Sequence, residues 1–203
     1  MNAPRRRTQV STESREDPRL RRPQLIGLTL GRQIEMNEAQ PTLDGLVDEL
    51  RASIVLLLEA HQPLSAMMLL YSGIDVLGAL DSDGGVATRD TFLSWADEYM
   101  KSDGAHSCSS LELYSARCGL LHRWSPITNL TKSGVAREVI YAIDRPRFQQ
   151  TQQAGGLLII HPPWLWLTFR DGSSRFVDNA LKDASSLKRV NKNLEGVYFE
   201  RRQ

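Results

Sequence analysis

From residue 43 onward, apolar positions recur at helical spacing. Leu43, Leu46, Val47, Leu50, Ile54, Leu57 and Leu58 form one stripe, with Asp44, Asp48, Glu49, Arg51 and Glu59 on the other side. This predicts an amphipathic helix opened by Pro41-Thr42 and ending near His61. Pro63 suits the first turn of a second helix. From Leu64 to Leu80 that helix is apolar almost all round, the pattern of a helix central to a bundle. Asp75 interrupts the run. Its carboxylate either reaches water at the helix edge or is a buried acid that faces a site or pairs with an arginine, because acids are rarely buried alone. Asp81-Ser82-Asp83-Gly84-Gly85 reads as a turn. It lacks the further ligands and closing glutamate of a calcium loop. Thr88 caps a third helix over Arg89 to about Lys101, ended by Ser102-Asp103-Gly104. Its Phe92, Trp95, Ala96 and Tyr99 point inward as core.

A fourth helix is announced by Ser109-Ser110-Leu111-Glu112, which has capping-box form. It runs through Leu113, Tyr114, Ala116, Arg117, Gly119 and Leu120 to His122, and Ser125-Pro126 ends it by about Trp124. The period then changes. Glu138–Ile143 and Leu157–His161 are short and β-branched and read as two strands. Residues 149–156 between them read as a flexible loop, so a β-hairpin is expected over about 136–162. Trp164–Phe169, after Pro162-Pro163, is open between strand and short helix. Ser173 or Ser174 is expected to cap a last helix reaching about Leu194. The fold class is therefore mainly α: a helical bundle over 41–197 with a small β-hairpin in its C-terminal third. Residues 1–40 are expected to form a basic, disordered tail and 198–203 a loose end.

Charge changes this picture little. The 203 residues carry 25 basic and 24 acidic side chains, a balance that does not point to nucleic acid. The asymmetry lies at the start, where Arg5, Arg6, Arg7, Arg15, Arg19, Arg21 and Arg22 face only Glu13, Glu16 and Asp17. Such a tail can bind phosphates through counterion release, although a solvated tail is the preferred reading. Met36 is an alternative start. Two cysteines, Cys108 and Cys118, are too few for a disulfide scaffold and suit a reducing cytosol. No apolar run approaches the ~20 residues that span a bilayer, and no secretory signal is present. A cytoplasmic protein with no membrane partner is expected.

The candidate chemistry sits at the end of the fourth helix. A cation and an imidazole in so apolar a stretch are costly without partners or a task. Arg117 and His122 are five residues apart, about 140° around an ideal helix, so they converge only if the helix loosens, as Gly119 permits. A zinc reading would use His106, Cys108, Cys118 and His122. The His-x-Cys spacing is short for such a site and Cys118 lies among apolar neighbours, so no metal and no cofactor are expected. A structural reading also stands: Arg117 pairing with Asp75 or Glu112, with His122 favourable at a helix C-terminus.

Arg117-Cys118-Gly119-Leu120-Leu121-His122 resembles the Arg-x4-His signature of the HEPN superfamily, an arginine, four to six residues and a histidine at the end of a helix in a small bundle. Asp75 on an earlier helix, within Tyr71-Ser72-Gly73-Ile74-Asp75, fits the acidic residue these domains often carry, and the likeness covers roughly residues 41–126. The resemblance implies a metal-independent endoribonuclease of defence or toxin type, with RNA as its partner, a composite site in a homodimer and a possible cognate antitoxin protein. Arg117 and His122 would be the catalytic pair, Asp75, Tyr114 and Glu112 supporting groups, and Arg123 an RNA phosphate contact. Many active motifs of this kind have a polar residue where this chain has Cys118. The alternative is a HEPN-like dimer that binds RNA or a protein partner without cutting.

Overall fold

The computed structural model describes residues 42–100, 108–143, 152–154 and 156–195. The expected basic tail, the loose end at 198–203, His106 and the helix stop at Ser102–Gly104 lie outside the described residues. The architecture is mainly helical with a small sheet, as expected. Helix α1 spans Leu43–Glu59, α2 Pro63–Asp81, α3 Arg89–Tyr99 and α4 Ser110–Cys118. One π-turn, Gly119–Arg123, and a short α5, Asn129–Lys132, follow. Strands β1 (Glu138–Tyr141), β2 (Gln152–Ala154) and β3 (Leu157–Ile160) come next, then α6 (Pro162–Lys182) and α7 (Ala184–Glu195).

Helix α2 is the hub, packed against α1, α3, α6 and α7. Its Leu70, Tyr71, Ile74 and Leu77 are fully buried, each apolar side chain of this size contributing about 1.5–3 kcal/mol. Its 19 residues, with mean hydropathy 1.5, reach the length and composition of a membrane span, more than the sequence reading allowed. Half of that window is buried inside the fold, as a core helix requires. Close packing with α3 depends on Gly78, where a Cβ would stand 2.6 Å from the Thr91 carbonyl oxygen. The C-terminus of α2 is closed from far along the chain. Asn193 of α7 donates through Nδ2 to the Ala79, Leu80 and Ser82 carbonyls, and Arg189 pairs with Asp81 at 2.8 Å.

Two expectations are corrected. The two strands read as a hairpin, β1 and β3, pair in parallel, Glu138 opposite Leu157 and Tyr141 opposite Ile160. The hairpin is made instead by β2, in the stretch read as loop, which pairs antiparallel with β3 across a turn holding Gly156 at φ +84°. The sheet order is β1-β3-β2. Ser173 and Ser174 cap nothing. Helix α6 starts at Pro162, which needs no partner for a backbone N–H at this position, and runs unbroken through both serines. They bond back to the Arg170 carbonyl and accept from Arg51 of α1. The true break is Asp183, whose carboxylate accepts from the Ser185 and Ser186 backbone and hydroxyls and so caps α7. Those four hydrogen bonds hold its pKa well below the ordinary carboxylate value.

Candidate functional site

Helix α4 begins as its sequence dictates. The Ser109 hydroxyl accepts from the Glu112 N–H at 3.2 Å and the Glu112 carboxylate accepts from the Ser109 N–H at 2.8 Å. The same carboxylate takes Arg137, just before β1, with Nη2 to Oε2 at 2.9 Å. Burial pushes the Glu112 carboxyl up, but hydrogen bonds from Arg137 and Ser109 outweigh it and hold the pKa below its usual value. Glu112 therefore fixes the start of α4 and ties it to the strand. Its ion-pair partner is Arg137, whereas Arg117 pairs with Asp75.

At the other end of α4 the helix widens. The Trp124 N–H bonds the Gly119 carbonyl, an i to i+5 bond, and the Ser125 N–H reaches the same oxygen at 3.3 Å. A turn of this width brings residues five apart back toward one side, and such turns are frequent at functional sites. Arg117 Nη1 thereby lies 2.8 Å from His122 Nε2. A guanidinium only donates, so Nε2 is the acceptor in this contact. The far side of the guanidinium is held by Asp75 of α2, whose Oδ2 accepts from Nε at 2.9 Å and Nη2 at 2.8 Å. Burial lowers the Arg117 pKa, but the bonds and charge of Asp75 more than restore it, and the net shift is upward. The two side chains are about a fifth and a seventh exposed, whereas His122 is open to solvent.

Tyr114 forms the floor. Its ring meets Phe92 of α3 edge-on at 5.4 Å, and the Arg117 and Arg89 guanidinium carbons each lie 5.9 Å from its centroid, within cation–π range. Burial and the neighbouring Cys118 raise its phenol pKa. Cys118 Sγ is 4.0 Å from Arg117 Nη1. The structure thus gathers Asp75, Tyr114, Arg117 and His122 from two helices and a π-turn. Arg123 is exposed and lies 3.5 Å from Asn129 Oδ1.

Cys108 and Cys118 are free thiols. Burial and the nearby Glu112 push the Cys108 thiol well up, the opposite of what a thiolate ligand needs. Among the described residues no three His, Cys, Asp or Glu side chains are placed to hold a metal ion. In the sequence Trp124 carries no signal beyond standing at the end of a helix. It sits in the left-handed region, φ +50° and ψ +40°, with 69% of its surface exposed. The only sequence signal for this turn was Gly119 followed by Ser125-Pro126. Comparison of the chain with protein-family models, curated proteins and solved structures gives no match.

Proposed function

We propose that this protein is a HEPN-like, metal-independent endoribonuclease that works in the cytoplasm as a homodimer. The observation that carries the reading is the Arg117–His122 contact made by the π-turn, with the guanidinium braced by Asp75 on its opposite side. When an RNA phosphate takes the place of His122 at Arg117 Nη1, the cation moves to the oxygens that gain charge in the transition state. The freed Nε2 lone pair then accepts the proton of the ribose 2′-hydroxyl as O2′ attacks the adjacent phosphorus. The P–O5′ bond breaks, leaving a 2′,3′-cyclic phosphate. The departing O5′ takes a proton from His122 of a second copy, present as the imidazolium and facing the first across a two-fold axis, so that the first ring ends protonated and the second neutral. The need for a 2′-hydroxyl selects RNA over DNA. A cognate antitoxin would act by covering this exposed edge.

A second reading has its own observation. Asp75 and His122 already occupy three of the guanidinium's nitrogens, so the cluster also serves as a tie between α2 and the end of α4. A dimer that binds RNA or a protein without cutting follows from that. Purified protein incubated with total RNA in EDTA, beside His122→Ala of unchanged circular dichroism, separates the two. Cleavage by wild type alone supports the nuclease. Absence of cleavage with RNA retained on a filter supports the binder, and absence of both removes RNA from the account.

A further inference from the structure

Bulky residues in the left-handed region are outliers, and helix termini that need this conformation ordinarily use glycine or asparagine. Trp124 takes it two residues after His122, with φ +50° and ψ +40°. Burial does not offset the strain, because the side chain is 69% exposed. The backbone holds it there. The Trp124 and Ser125 N–H groups both bond Gly119 O, and the Ile127 N–H bonds Ser125 Oγ at 3.1 Å. The other described tryptophans are turned inward: Trp95 is 1% and Trp164 6% exposed, and Trp166 is partly buried against the core. Arg123 beside it is exposed, and Ile127, 44% exposed, extends the apolar surface. An exposed flat ring on a turn closed by backbone hydrogen bonds, next to a cation and a histidine, has the make-up of a stacking platform for single-stranded nucleic acid.

We propose that Trp124 stacks on an unpaired base of the RNA strand whose phosphate lies at Arg117 and His122, so that the substrate is single-stranded RNA. This rests on the RNA-directed reading of the site. Trp124 positions the strand and takes no part in proton transfer. Strain in a left-handed residue is maintained only where the surrounding structure fixes it, and it clusters at ligand clamps.

The test uses His122→Ala protein, which binds without turnover, and a fluorescent single-stranded RNA with a duplex of the same sequence as control. Trp124→Asn is the informative variant, since asparagine suits the left-handed region better than tryptophan and a loss of binding is then not a loss of fold. Single-strand affinity is expected to fall about 5- to 150-fold, while Trp124→Phe stays within about 3-fold of the parent. Removing one base from the RNA is expected to lower affinity for the parent and to have no further effect on Trp124→Asn. If the parent binds RNA and Trp124→Asn binds equally well, the platform is wrong and the RNA reading stands. If the parent binds no RNA, both fall. A change of oligomeric state on Trp124→Asn, with RNA affinity per site unchanged, makes the tryptophan a subunit contact and overturns the proposal.

Discussion

Gly119→Ala sets two physical effects against each other at the hinge of the site. Gly119 has helical dihedrals, φ −63° and ψ −49°, so helix propensity alone predicts that alanine stabilises the chain by about 1 kcal/mol. Packing predicts the reverse. The new Cβ would stand 2.5 Å from the Ser125 carbonyl oxygen. That neighbour is backbone, on the turn that folds back after Trp124, and it must retreat by roughly half an ångström or more. Overpacking of this kind costs about 1–3 kcal/mol. The retreat also strains the Trp124 and Ser125 bonds to Gly119 O, each worth about 0.5–1.5 kcal/mol. With about 1 kcal/mol of propensity offset, the net loss is near 2 kcal/mol, a fall in Tm of about 4–8 °C for a chain of this size. Thermal unfolding followed by circular dichroism measures it, with Gly84→Ala as control, because a Cβ at Gly84 meets nothing within 4 Å. The control is expected to shift Tm by less than about 2 °C. A Tm for Gly119→Ala equal to or above wild type would refute the reasoning, since propensity would then have won and the turn would not be packed as described. RNA cleavage by the variant is expected to fall more steeply than its stability, because His122 is placed by the same turn.

Arg117→Lys removes the fork that bonds Asp75 and His122 together; one ammonium cannot span both, so cleavage in EDTA is expected to drop at least 10-fold while the melting curve shifts by only a few degrees. Asp75→Asn leaves the half-buried guanidinium without its counter-charge, and urea unfolding is expected to show a loss of about 1–3 kcal/mol. The depressed Glu112 pKa contributes stability that is present above its unfolded value of 4.5 and is lost as pH falls through the lower folded value; in urea melts across that window, Glu112→Gln is expected to be less stable at pH 7 and to lack this acid-dependent loss. Tyr71 and Tyr141 share a 2.9 Å hydroxyl–hydroxyl bond, and burial raises both phenols; their contribution is full below the unfolded value of 10.0 and declines as pH rises toward the folded values, so Tyr71→Phe is expected to flatten the alkaline loss of Tm.

What was legible in the sequence was local. The stripe of α1, the all-round apolarity of α2 and the capping residues Thr88 and Ser109 each act within one or two turns, and the structure places them where the pattern puts them. What was not legible depends on partners distant in the chain. Gly172-Ser173-Ser174 resembles a stop, yet α6 continues because Gly172 lets the helix pass the Tyr99 carbonyl, 2.7 Å from where a Cβ would be, and Arg51 engages both serines. Short β-branched runs identified β1 and β3 but carry no information on direction, and their parallel pairing is set by the sheet. For the site, the sequence singled out Arg117, His122 and Asp75. It offered two partners for the arginine, and the fold assigned Asp75 to it and Glu112 to Arg137. The convergence itself required a π-turn, which no residue periodicity encodes.

The closure of α2 by Asn193 has a consequence during synthesis. The Ser82 carbonyl and its capping side chain are 111 residues apart. At ribosomal speeds of about 5–20 residues per second, the end of α2 waits roughly 6–22 s for its cap. Until residue 182 is made α2 lacks a complete α6, and to the end of the interval a complete α7, two of the four described helices packed against it. The last contacts that cover α2 therefore form only after α7 has been translated, later than the assembly of the first three helices.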